Sequence, residues 1–274
     1  MRSTRPAQQR RPIRMATRGA AKGVAVADAC VRLTSPTRGR PRLRGAPDRL
    51  RRRNGPPPPL RLAVFDLDGT LTVPGTSVLR HLGRVCGFEA VAHDLVTRYA
   101  AGGLRNADVS ARAAAALAGR RLTDLRGSLA TLPMVDGIAE TVRCLERHGV
   151  YCAISTITFD FAAQYVAERF GFHRTSATRL GFAGGTATGE VLDVLEDQDK
   201  CVFIADLCAE LQTSKDHTVF VGDARSDIPA MRMTGHSVAF NAIPDVRALA
   251  SVVVDGSTDL RDVLPPVRHL LAAG

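Results

Sequence analysis

From residue 61 onward, apolar residues fall alternately into short unbroken runs and into stripes spaced three and four apart, the signatures of buried parallel strands and amphipathic helices. The run RLAVFD, starting at Arg61, ends in a carboxylate, which predicts a strand that delivers Asp66 to its C-terminal end. Residues 76–130 then carry helical signals only, above all the alanine-rich ADVSARAAAALAGRRLTDLRG. After Pro133 the alternation returns as helix 136–148, strand 150–154 and helix 159–170. The Gly-rich GFAGGTATGEVLDVL predicts a β-hairpin, and helix 199–213, strand 218–223, helix 226–233, strand 236–240 and strand 251–255 complete the pattern. The expectation is an α/β fold, a doubly wound and mainly parallel sheet built from residues 61–75 and 131–274. Residues 76–130 form an inserted α-helical cap, hinged near Pro74–Gly75 and Thr131–Pro133.

Composition divides the chain differently. Residues 1–61 hold 17 Arg and Lys against two Asp and Glu, whereas residues 62–274 hold 20 against 25. A segment rich in Arg, Pro and Gly buries too little apolar surface to offset its chain entropy, so residues 1–60 are expected to be a disordered basic tail. It reads as an acidic-surface or nucleic-acid arm, an organellar targeting peptide, or sequence upstream of the true start. The last is favoured, since only three of the 37 basic residues of the chain are lysine, and nucleic acid is an unlikely partner because the tail has no interleaved aromatics. No run of 18 apolar residues spans a membrane and the start shows no secretory pattern, so the expected location is the cytoplasm. The six cysteines form no CxxC pair and the seven histidines are dispersed, which excludes a zinc site.

Candidate chemistry sits where strands end. FDLDGTLT, residues 65–72, places Asp66 and Asp68 two apart beyond a strand, with Gly69 for a tight turn and Thr70 to fix a neighbouring carboxylate. Ser155 directly follows the apolar YCAI, a place that also suits a helix N-cap. Lys200 starts a predicted helix, where a solvated surface residue is the plain alternative, and VGDARSD, residues 221–227, ends another apolar strand in carboxylates or simply caps a helix.

These four motifs, in this order across residues 62–255, resemble the haloacid dehalogenase superfamily of phosphatases, whose core is a Rossmann-like sheet. The resemblance implies that Asp66 is the nucleophile that attacks phosphorus, and that Asp68 protonates the leaving alkoxide and then activates water. It implies that Ser155, with nearby backbone N–H groups and Thr156, holds a phosphoryl oxygen, that Thr70 also faces the substrate, and that Lys200 offsets charge. Magnesium is the implied cofactor, held by Asp66, Asp68 through its backbone carbonyl, Asp223 and Asp227. The helical insertion and the run STITFDFAAQYVAERFGF resemble the phosphoserine-phosphatase-like branch. True phosphoserine phosphatases carry a Gly-Gly pair after the serine and a glutamate soon after the first motif. Here Thr156 and Ile157 replace the glycines, and VPGTSVLRHLG offers no glutamate. The expected substrate is therefore a small phosphorylated metabolite, with Arg120 as a candidate lid arginine. Phosphoserine itself, transfer to an acceptor other than water, and a binding module using the basic tail are the alternatives.

Overall fold

The computed structural model describes residues 59–271. The expectation for residues 1–60 therefore lies outside the described residues except at Pro59 and Leu60, where Leu60 is already fully buried and its N–H donates to the Leu270 carbonyl. Among the described residues no helix is long and apolar enough to cross a membrane.

Seven strands make one sheet: β1 (Leu62–Phe65), β2 (Tyr151–Phe159), β3 (Arg174–Ala183), β4 (Thr186–Asp193), β5 (Thr218–Gly222), β6 (His236–Phe240) and β7 (Val252–Val254). Their spatial order is β4-β3-β2-β1-β5-β6-β7, parallel throughout except for the antiparallel β3–β4 pair. The fold is thus the expected doubly wound sheet. The four residues of β1 are buried on both sides because alternate side chains point to opposite faces. Ala63 and Phe65 enter one core and Leu62 and Val64 the other.

Between β1 and β2 lie α1 (Val78–Cys86), α2 (Glu89–Ala100), α3 (Asn106–Leu117), α4 (Leu122–Ser128) and α5 (Ile138–Arg147). The remaining helices are α6 (Asp160–Phe170), α7 (Asp199–Glu210), α8 (Ile228–Met233), α9 (Pro244–Leu249) and α10 (Leu264–Val267). Between residues 78 and 128 the regular structure is α-helical, four helices joined by short turns, as the alanine-rich pattern predicts. The chain enters and leaves this insertion side by side, since Val73 N–H donates to the Pro133 carbonyl and Val135 N–H to the Leu71 carbonyl.

Three boundaries differ from the sequence reading. β2 runs to Phe159 rather than stopping near residue 154, because Thr156, Ile157 and Thr158 are β-branched and the strand continues to pair with β3 through Phe159↔Thr178. The helix expected to reach residue 213 ends at Glu210, so Lys215 sits in a separate 3-10 turn, Lys215–His217. The hairpin begins at Arg174, earlier than the glycines suggest, and turns at Gly184–Gly185, both at positive φ, which a two-residue hairpin loop requires. β4 then lies along the insertion: Gly119 N–H donates to the Ala187 carbonyl, Ala187 N–H to the Arg120 carbonyl, and Leu122 N–H to the Gly185 carbonyl.

Candidate active site

Strand register brings the first and last motifs together. Phe65 pairs with Ile154 on one side and Val221 on the other, so Asp66, Ser155 and Gly222 stand at one level at the C-terminal edge of the sheet. Open α/β sheets bind ligands at that edge. α7 brings Lys200 beneath them. This lysine is fully buried, and its Nζ donates to Asp66 Oδ1 at 2.7 Å and to Asp227 Oδ1 at 2.6 Å. Asp227 is held in turn: its Oδ2 accepts from the backbone N–H groups of Asp223 at 2.9 Å and Ala224 at 3.0 Å.

Two glycines leave room for these carboxylates. A Cβ on Gly69, whose φ is +88°, would stand 2.3 Å from Asp223 Oδ2, and one on Gly222 would meet the Asp227 carboxyl at 2.5 Å. Thr70 is buried, and its hydroxyl donates to Asp223 Oδ1 at 2.8 Å. That bond is the fixing of a neighbouring carboxylate expected of Thr70, which is not among the residues that line the cavity described below.

Burial dominates the electrostatics. Together with the Asp227 charge it pushes the Asp66 carboxyl up to about 7, against the opposing pull of Lys200. Asp223 is raised for the same reasons, burial first and then the charges of Asp227 and Asp66. Lys200 moves up as well, because the two carboxylates outweigh its desolvation. Asp68 is raised by burial to about 6 although its Oδ1 accepts the Val78 N–H at 2.8 Å, a bond that ties this carboxylate to the start of α1.

Asp66, Asp223 and Asp227 each offer an oxygen, and the three oxygens lie within 4.8 Å of one another. An all-oxygen cluster of carboxylates, two buried and Asp223 half-buried, suits a hard divalent cation, which would relieve their mutual repulsion. Ser155 is fully buried, and its hydroxyl has no hydrogen-bond partner among the described residues.

A cavity of about 360 Å³ opens above the carboxylates, lined by Asp66, Asp68, Asp223 and Thr156 at one end and by α1, α2 and α3 at the other. Arg120 is not among the lining residues. It is exposed and donates to the Cys86 carbonyl, because the turn after α3 is held against β4 and away from the opening. Arg80 on α1 lines the cavity instead. Sequence reasoning passed over it, although VPGTSVLRHLG places it three residues after the Ser77 N-cap, whose Oγ accepts the Arg80 N–H at 3.2 Å.

Two further groups went unread because their partners lie far away in sequence. Asn106 Nδ2 donates to Leu195 O at 2.7 Å, Ile157 O at 3.0 Å and Thr178 Oγ1 at 3.3 Å, and Glu196 accepts the N–H groups of Asn106 and Ala107 at the start of α3. Asp197 accepts from Tyr99 Oη and pairs with Arg225 at 3.0 Å, while the Arg225 guanidinium lies 5.0 Å from the centre of the Tyr99 ring.

Residues 63–232 match the family model described as haloacid dehalogenase-like hydrolase. The chain is similar to the phosphoserine phosphatase of Methanocaldococcus jannaschii, 27% identical over 214 residues that cover 76% of this chain and 98% of that one. It is also similar to the phosphoserine phosphatase of Haemophilus influenzae, 30% identical over 125 residues, where the match covers 45% of this chain but only 40% of the relative. Among solved structures, a phospho-aspartyl intermediate analogue of phosphoserine phosphatase shares the fold with a TM-score of 0.67, at 24% identity over 75% of this chain and 98% of that one.

Proposed function

The chain belongs to the haloacid dehalogenase-like hydrolase family as a phosphatase of its phosphoserine-phosphatase-like branch, and on that premise we propose that it hydrolyses a small phosphomonoester through an aspartyl phosphate on Asp66. The observation that carries this reading is the buried Lys200, which bridges Asp66 and Asp227 at 2.7 and 2.6 Å directly below a cavity. Such an arrangement holds a carboxylate rigid and offsets its charge, which is what attack on an anionic phosphate requires.

In the proposed sequence Asp66 attacks phosphorus in line, and Asp68 donates a proton to the departing alkoxide. The raised Asp68 carboxyl, at about 6, keeps a usable share protonated near neutrality. Asp68 then takes a proton from the water that opens the acyl phosphate, so one carboxyl serves both half-reactions. Ser155 and the adjacent backbone N–H groups receive a phosphoryl oxygen, with Thr156 in the adjoining wall. A magnesium ion, held by Asp66, Asp223, Asp227 and the Asp68 carbonyl, would neutralise the charge that otherwise repels nucleophile from phosphate. The helical insertion acts as the lid that excludes water and selects the alcohol.

The test is phosphate release from a panel of phosphomonoesters, with and without magnesium, by the protein and by Asp66→Asn. Magnesium-dependent release that falls at least about a thousandfold in the variant is the expected result. Release that survives the substitution in contaminant-free protein would remove Asp66 from its role.

A further inference from the structure

We infer, on the premise that Asp66 receives the phosphoryl group, that the alcohol of the substrate is mainly apolar and carries no ammonium group, so that alkyl or aryl phosphates fit this site better than phosphoserine. The phosphoryl group is fixed at the carboxylate end, and the organic part must therefore occupy the rest of the 360 Å³ cavity. Its wall there is mainly hydrocarbon, with Leu79, Val96, Val109, Ala113, Ile157 and Phe159 beside the uncharged polar groups of Tyr99, Ser110 and Thr158. The extension of β2 to Phe159 supplies Ile157 and Phe159, and α3 supplies Val109 and Ala113.

Charge in the wall points the same way. Among the described lining residues the carboxylates are Asp66, Asp68 and Asp223, all at the phosphoryl end. The charged side chains elsewhere in the lining are Arg80 and Arg225, both cationic. Arg225 is committed to Asp197, but the Arg80 Nε–H is buried with no partner among the described residues and so asks for an acceptor. An ammonium group would find a cation where it needs a carboxylate. Asn106 in the same wall carries no charge, and its Nδ2 is engaged with three acceptors, one of them the Ile157 carbonyl. The ammonium of such an ester thus loses its hydration without ionic compensation, whereas each methylene of an alkyl chain that enters the cavity gains roughly fourfold in affinity.

The experiment has two arms on the full chain with magnesium. In the first, equilibrium binding of ethyl, butyl and hexyl phosphate, phenyl phosphate, phosphoethanolamine and phosphoserine to Asp66→Asn is measured by calorimetry. Hexyl and phenyl phosphate should bind at least about tenfold more tightly than either ammonium-bearing ester, with affinity climbing from ethyl to hexyl. Equal or tighter binding of phosphoserine, or no dependence on chain length, overturns the inference. In the second arm kcat/KM of the unsubstituted protein is measured on the same esters and should follow the same ranking. If binding follows the ranking and no ester is hydrolysed, the specificity of the cavity stands and the hydrolase reading falls. If phosphoserine is hydrolysed best in an Asp66-dependent manner, the hydrolase reading stands and this inference falls.

Discussion

Lys200 is wholly buried, and its ammonium is shared by two carboxylates that have no other cation at such range among the described residues. Lys200→Met therefore leaves Asp66 and Asp227 facing each other in a dry site, and removing one member of a buried ionic group costs on the order of 3–5 kcal/mol. Urea denaturation should show that loss, and phosphate release should vanish with it; a variant of unchanged stability would mean that the site is hydrated in solution. Gly69 makes the opposite kind of prediction, since its contribution is space. Gly69→Ala forces a side chain into left-handed backbone and sets its Cβ 2.3 Å from Asp223 Oδ2. The expected outcome is a fold retained by circular dichroism, a stability loss of about 1–3 kcal/mol, and magnesium affinity weakened by at least about tenfold as Asp223 is displaced.

At the scale of elements, α3 is held above the cavity by contacts from loops and strands that follow it by 50 to 90 residues. Asn106 is the centre of that attachment, with its three side-chain bonds to Ile157, Thr178 and Leu195. Asn106→Ala leaves two half-buried carbonyls without this donor, a cost of about 1 kcal/mol or more. α3 also carries Val109 and Ala113 into the cavity wall, so the same substitution should raise KM for small esters more than it lowers kcat. Steady-state kinetics would separate this from simple loss of protein, which lowers apparent kcat and leaves KM alone. The boundaries that sequence periodicity misplaced are instructive here. The apolar run that marks β2 in the sequence ends at residue 154, five residues short of Phe159, yet pairing with β3 carries the strand onward. Tertiary pairing thus extends the strand beyond its local signal.

For the molecule as a whole, the carboxylate cluster couples cation binding to folding. Asp66, Asp223 and Asp227 come from the ends of two strands and the turn after the second, so the unfolded chain has no equivalent site. A cation present at a hundred times its dissociation constant stabilises by about 2.7 kcal/mol, which for a domain of this size raises Tm by roughly 5–10 °C. Thermal unfolding with EDTA and with added magnesium should show that difference, and Asp223→Asn should remove most of it. A Tm indifferent to magnesium would disconnect the cluster from metal binding.

Sequence by itself determined the doubly wound sheet, the helical insertion and the two acidic loops, because apolar runs, helical stripes and carboxylates just past a strand are local patterns set by periodicity and burial. The carboxylates Asp66, Asp68, Asp223 and Asp227 stand out locally as acidic residues just past strands, whereas Lys200, by itself a plain surface lysine, is marked only by the order of motifs that resembles the family. What only the tertiary structure decided is who meets whom. It committed Thr70 to Asp223, placed Arg80 in the cavity wall and Arg120 outside it, and assembled Asn106, Tyr99, Asp197 and Arg225 around the opening. Those pairings join residues far apart in the chain, and no local rule of spacing encodes a contact that exists only once the sheet has set the register of its strands.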